Sequence, residues 1–109
     1  MLFDRKDILV EHQNLTVGEF NINIDGAYDN VRTFPLEVRK GKNVFVSVKS
    51  DNGVDVCVVG TDGMNQKFSA AAKDVTLGPI PVKEKGTMSL VLAVFRGDLA
   101  HVEVEAWME

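Results

Sequence analysis

The sequence predicts an all-β domain, an antiparallel β-sandwich of jelly-roll type with about eight strands, and three observations carry that expectation. Apolar and polar residues alternate with a period of two, turn-forming residues separate the alternating runs, and the helices that a parallel βαβ arrangement needs are missing. The alternation is clearest from Asn43 to Lys49. Val44, Val46 and Val48 fall on one side there, and Asn43, Phe45, Ser47 and Lys49 on the other, as successive side chains of a strand do.

The predicted strands are Asp7 to His12, Glu19 to Asp25, Arg32 to Arg39, Asn43 to Lys49, Val54 to Val59, Val75 to Ile80, Met88 to Phe95 and Ala100 to Trp107. Between them lie Asp25-Gly26, Lys40-Gly41-Lys42, Asp51-Asn52-Gly53, Gly60-Thr61-Asp62-Gly63, Lys85-Gly86 and Gly97-Asp98, residues that accept positive φ or hydrogen-bond their own turn. The stretch Met64 to Lys73 reads two ways. Phe68, Ala71, Ala72 and Val75 have helical spacing, whereas Phe68, Ala70 and Ala72 alternate as in a hairpin arm; strand or irregular structure is the preferred reading. Proline cannot donate to a ladder, so the Pro35 strand is expected to lie at an edge or to begin after the proline, Pro79 and Pro81 are expected to end or bend the Val75 to Ile80 strand, and these two segments are the edge candidates.

The last hairpin points to an interaction surface. Leu90, Leu92 and Val94 face one way, and Val102, Val104 and Ala106 match them on the second arm. Behind the second arm stand Glu103 and Glu105, as expected for a solvated face, but behind the first stand Val91, Ala93 and Phe95. The Val54 to Val59 strand behaves alike, with Cys57 and Val59 opposite Val54, Val56 and Val58. If these two strands are neighbours, Val91, Ala93, Phe95, Cys57 and Val59 form an apolar outer patch suited to a protein partner or a second copy of the chain, unless the chain covers it itself.

Composition narrows the function classes. A chain of 109 residues, 45% hydrophobic and 26% charged, is expected to fold as one domain spanning residues 1–109. A net charge of -4 argues against binding a phosphate backbone, and the single basic cluster, Arg39, Lys40 and Lys42 around Gly41, reads as a solvated turn. Cys57 is the only cysteine, which excludes an internal disulfide. Met1 to Val10 carries Asp4, Arg5, Lys6 and Asp7 where a secretory signal has an apolar core, and no window reaches eighteen apolar residues. The expected setting is therefore cytoplasmic, away from membranes and nucleic acid, and the sequon at Asn14-Leu15-Thr16 is read as chance.

Catalytic and cofactor signatures are lacking. There is no Gly-x-Ser-x-Gly elbow, phosphate cradle or dinucleotide fingerprint, and Cys57 sits inside an apolar run where a thiol behaves as a small hydrophobe. The expectation is a protein without enzymatic activity and without a cofactor. His12, His101 and Cys57 are too few for a structural zinc site, and each histidine reads as an exposed polar residue. Asp51, Asp55 and Asp62 supply the hard oxygens calcium prefers. They are the alternative site, for a small ligand or calcium, although the EF-hand spacing is absent and Asp, Asn and Gly are ordinary turn residues. Arg96-Gly97-Asp98 reads as a hairpin tip. Trp107 and Tyr28 are residue types enriched at interfaces; Trp107 shares a face with Glu103 and Glu105, which allows partial exposure, and sealing one end of the sandwich is the preferred reading.

From Lys42 to Trp107 the chain resembles the small jelly-roll modules of the GOLD and bacterial pre-peptidase C-terminal type. The resemblance lies in Gly41-Lys42-Asn43 leading into Val44-Phe45-Val46-Ser47-Val48, in Val54-Asp55-Val56-Cys57-Val58, and in Gly86-Thr87-Met88-Ser89-Leu90-Val91-Leu92-Ala93-Val94. It implies a non-catalytic accessory domain that binds cargo, a partner protein or polysaccharide. Together with the apolar patch, the expected function is protein interaction or self-assembly.

Overall fold

Seven strands, all antiparallel to their neighbours, account for the regular structure in the computed structural model, which describes residues 6–22, 28–95 and 97–109. They are β1 (Asp7–Ile22), β2 (Tyr28–Asp29), β3 (Val31–Val38), β4 (Asn43–Val59), β5 (Asn65–Pro81), β6 (Gly86–Ala93) and β7 (Leu99–Met108). Hydrogen bonding runs in the order β2-β1-β7-β4-β6-β3, with β5 paired to β4 off this path. No described residue is helical, so Met64 to Lys73 is the hairpin-arm alternative, continuous with the Val75 to Ile80 strand.

The strand count differs from eight because two pairs of expected strands are each continuous, in β1 and β4, while the two-residue β2 is added. Asp51-Asn52-Gly53 does not reverse the chain; it bends β4. Straight, the 17 residues of β4 would run about 56 Å. The longest dimension of the molecule is 47 Å, so the strand has to turn a corner. At the corner Asn52 and Ser50 hydrogen-bond one another, Asn52 Oδ1 accepts from the Gly53 N–H, and the ladder to β5 shifts register between Lys49 and Val54. Asx side chains and glycine stabilise such a bulge by the same local bonds that stabilise a turn. The expected strands Asp7 to His12 and Glu19 to Asp25 are likewise joined in β1, where Gly18 takes φ +131° and passes so close to Asp98 that a Cβ would lie 2.2 Å from its carbonyl oxygen. The end of the second of these, with the Asp25-Gly26 turn, lies outside the described residues.

The bend gives β4 two sets of neighbours. Val44 to Ser50 pair with Met108 to Val102 of β7, whereas Asp55 to Val59 pair with Ala93 to Ser89 of β6. Inward-facing residues from both halves meet in one hydrophobic cluster, which includes Val44, Val46, Val48, Val54, Val56, Val58, Leu36, Leu90, Leu92, Val102 and Val104. The sheet curls nearly into a barrel. Its remaining seam lies between β1 and β3, where Arg32 Nη1 donates to the Thr16 carbonyl (3.3 Å) and Arg39 pairs with Asp7. Among the described strands both proline-bearing segments are edges, as expected: β3 ends the path, and β5 pairs with β4 alone.

Candidate interaction surface

The outer face of the β3-β6-β4-β5 layer is built by register. Thr33 stands opposite Val91, Val91 opposite Cys57, and Cys57 opposite Phe68, which makes one row across four strands. On one side of it run Val31, Ala93 and Asp55, and on the other Pro35, Ser89, Val59 and Asn65. Of the residues singled out from sequence, Val91, Ala93, Cys57 and Val59 are thus brought onto one face, each half-buried between its lateral neighbours. Phe95 lies two residues beyond β6 in the connection to β7 and is 78% exposed.

Two strands that the sequence did not assign to this patch enlarge it. Val31 contributes from β3 at 47% exposure and Phe68 from β5 at 54%. The sequence signal for Phe68 was its alternation with Ala70 and Ala72; placing it on this face required the β4–β5 register. Asp55 is the only charged side chain in these three rows, and its Oδ1 accepts from the Ala71 N–H at 2.8 Å. Cys57 Sγ donates to Asn65 Oδ1 at 3.3 Å, and partial burial raises the thiol pKa, which favours the protonated form.

The opposite face, on β1, β7 and the first half of β4, is polar. Asp74, Lys49, Glu103 and Asn14 form a cross-strand row in which charges alternate in sign. His12 Nε2 lies 2.7 Å from Glu103 Oε2, and His101 Nδ1 lies 2.7 Å from Asp51 Oδ2, so both histidines are the exposed polar residues expected and each has a carboxylate partner. Asn14, Lys49, Asp51, Asp74, His101 and Glu103, with Leu15 and Val102 between them, line an open groove of about 500 Å³. Farther along the same face, Trp107 stacks on Phe45 with ring centroids 5.6 Å apart and lies under the Lys6 ammonium, while its Nε1 donates to Glu109. Trp107 is therefore half-buried in a cross-strand aromatic pair on an outer face, not at the end of the core.

Asp51, Asp55 and Asp62 are not brought together. Asp51 sits at the β4 corner, Asp55 on the outer face beyond it, and Asp62 in the β4–β5 turn, where its Oδ1 accepts from the Met64 N–H. From Asp55 to Val59 alone the strand advances about 13 Å. Among the described residues no three of His, Cys, Asp and Glu converge as metal ligands would. Arg96 of the Arg96-Gly97-Asp98 tripeptide and the side chain of Tyr28 lie outside the described residues.

No described helix is long and apolar enough to cross a membrane. Compared with known protein families and with curated proteins, the chain matches none.

Proposed function

We propose that this chain is a non-catalytic protein-interaction module, a jelly-roll-like sandwich that self-associates through the outer face of β3, β6, the second half of β4 and β5. The observation that carries this reading is the row Thr33–Val91–Cys57–Phe68 with Val31, Ala93 and Val59 beside it, an apolar surface on four paired strands. Water-facing strands ordinarily alternate apolar-in and polar-out, and a contiguous apolar exterior is a feature of interaction sites. A second copy suits it on electrostatic grounds. Over the three rows this face carries one carboxylate, Asp55, already hydrogen-bonded to backbone, with Glu37 at its rim, so two copies of a chain of charge -4 meet here with less repulsion than their other surfaces would impose. The resemblance to accessory jelly-roll modules supports the same reading.

Val91→Asp tests it. The substitution puts a charge on the outer face without touching the core, so the native mass by light scattering across a dilution series should fall while the far-ultraviolet circular dichroism stays native. Leu90→Ala is the contrast, because Leu90 is fully buried one residue away and its truncation should cost about 2–5 kcal/mol in urea unfolding. An unchanged mass for Val91→Asp, or its outright unfolding, would refute the proposed face.

A further inference from the structure

We infer that copies of this chain also join edge to edge through the first part of β5, in a short antiparallel ladder centred on Phe68. This rests on the reading above for its partner, a second copy, and on separate observations for its contact. The outer edge of β5 bonds to no other described strand, so its N–H and C=O groups from Asn65 to Ala70 are open to pairing. Other edges are blunted: β3 carries Pro35 at its middle, and the second half of β5 carries Pro79 and Pro81. The segment Asn65-Gln66-Lys67-Phe68-Ser69-Ala70 has no proline, one charge and an exposed aromatic ring.

A two-fold axis at Phe68 gives this edge a self-complementary register. Phe68 then faces Phe68 of the second copy and Lys67 faces Ser69, within the regular stretch between the register shifts at Gln66 and at Ala70 and Ala71, so no like charges stand directly opposite and the aromatic pair takes the centre. Lys67 is the one charge of the segment, and the register sets the two Lys67 side chains diagonally instead of opposite one another, so few like charges are brought together at this edge. Ala71, at φ +50°, ends the ladder after Ala70. The join is consequently finite, and the two-fold closes it instead of propagating a fibre. Joined so, the two apolar faces lie side by side in one sheet and remain free to stack on another pair.

The experiment uses the full chain with Cys57→Ala and Phe68→Cys, oxidised with glutathione disulfide, beside a Lys67→Cys control and a Val91→Asp version. Directly opposed strand residues lie close enough for a disulfide, whereas stacked sheets stand about 10 Å apart and do not. The expected result is a covalent dimer from the Phe68→Cys chain and not from the Lys67→Cys chain, persistence of that dimer in the Val91→Asp version, and slowed amide exchange at residues 65–70 in the assembled protein. An assembly without crosslinking at Phe68 and without amide protection there overturns the edge ladder and leaves the face contact standing. Crosslinking with a mass indifferent to Val91→Asp supports the ladder and removes the face contact. A monomer at every concentration overturns both.

Discussion

Asp51 and Glu103 each hold a histidine from a neighbouring strand and so tie elements together by single side chains. Asp51 accepts the His101 backbone N–H (2.8 Å) and pairs with the His101 ring, bonds that lower its carboxyl pKa from the ordinary 3.8. Glu103 is lowered chiefly by its bond to His12, with desolvation opposing. A carboxyl whose pKa is depressed by folding binds protons more tightly in the unfolded chain. Its contribution is therefore present above the unfolded pKa and disappears as pH falls through the folded one. Both groups are exposed, which keeps the effect small. The variant carrying Asp51→Asn and Glu103→Gln should melt below the native chain at neutral pH, and the gap should close on acidification to roughly pH 2, below both carboxyl ranges. A melting gap that persists there would show that the substitutions act through packing. None of this was legible in the sequence, because His101 and Asp51 are fifty residues apart and meet only through the β4–β7 register. The outward positions of Val91 and Cys57, by contrast, were legible from alternation alone, since period two fixes a side chain's face whatever strand lies beside it.

At the level of elements, turn chemistry proved ambiguous where pattern was not. Asp51-Asn52-Gly53 has the composition of a hairpin turn, yet it forms the corner at which β4 passes from β7 to β6. The reason is that a bulge and a turn make the same demands on single residues, while chain reversal depends on what the flanking strands pair with. Pro35, Pro79 and Pro81 pointed to edges, because a missing donor is tolerated there or at a bulge, yet whether the strands ran through the prolines was settled only by the ladders beside them. Gly53 stands at the corner in close approach to Ala71. A Cβ there would lie 3.1 Å from the Ala71 Cβ and 3.2 Å from its Cα, and Ala71 is itself held at positive φ. Gly53→Val should therefore destabilise the protein by about 1–3 kcal/mol in urea unfolding through overpacking. Ala71→Gly in the same chain should recover part of that loss, since it removes the opposing Cβ and accepts the left-handed backbone without strain. If Ala71→Gly gives no recovery, the two positions do not share the crowding and the cost arises elsewhere.

Across the whole molecule, the pairing scheme makes the fold depend on distant segments. The first strand pairs with the last, and β4 from the middle of the sequence pairs with β5, β6 and β7. Loop-closure entropy has to be met before such non-local pairs return any stability, so folding should be slow for a chain of this size, on the order of milliseconds to seconds. Trp107 is the single tryptophan and sits where three of these segments converge, stacked on Phe45 of β4 and opposite Ile8 of β1. Its emission reports β1–β7–β4 assembly, whereas circular dichroism also reads the β3–β6 and β4–β5 ladders. Because inward residues from both halves of β4 belong to one hydrophobic cluster, neither half can bury its valines without the other. Stopped-flow refolding, run at concentrations where the chain is monomeric, should then show one exponential with the same rate by both probes. A tryptophan phase slower than the dichroism phase would mean that the β3–β6–β4–β5 layer forms first and that β1 and β7 close onto it afterwards, so the corner in β4 would divide two folding units instead of joining one.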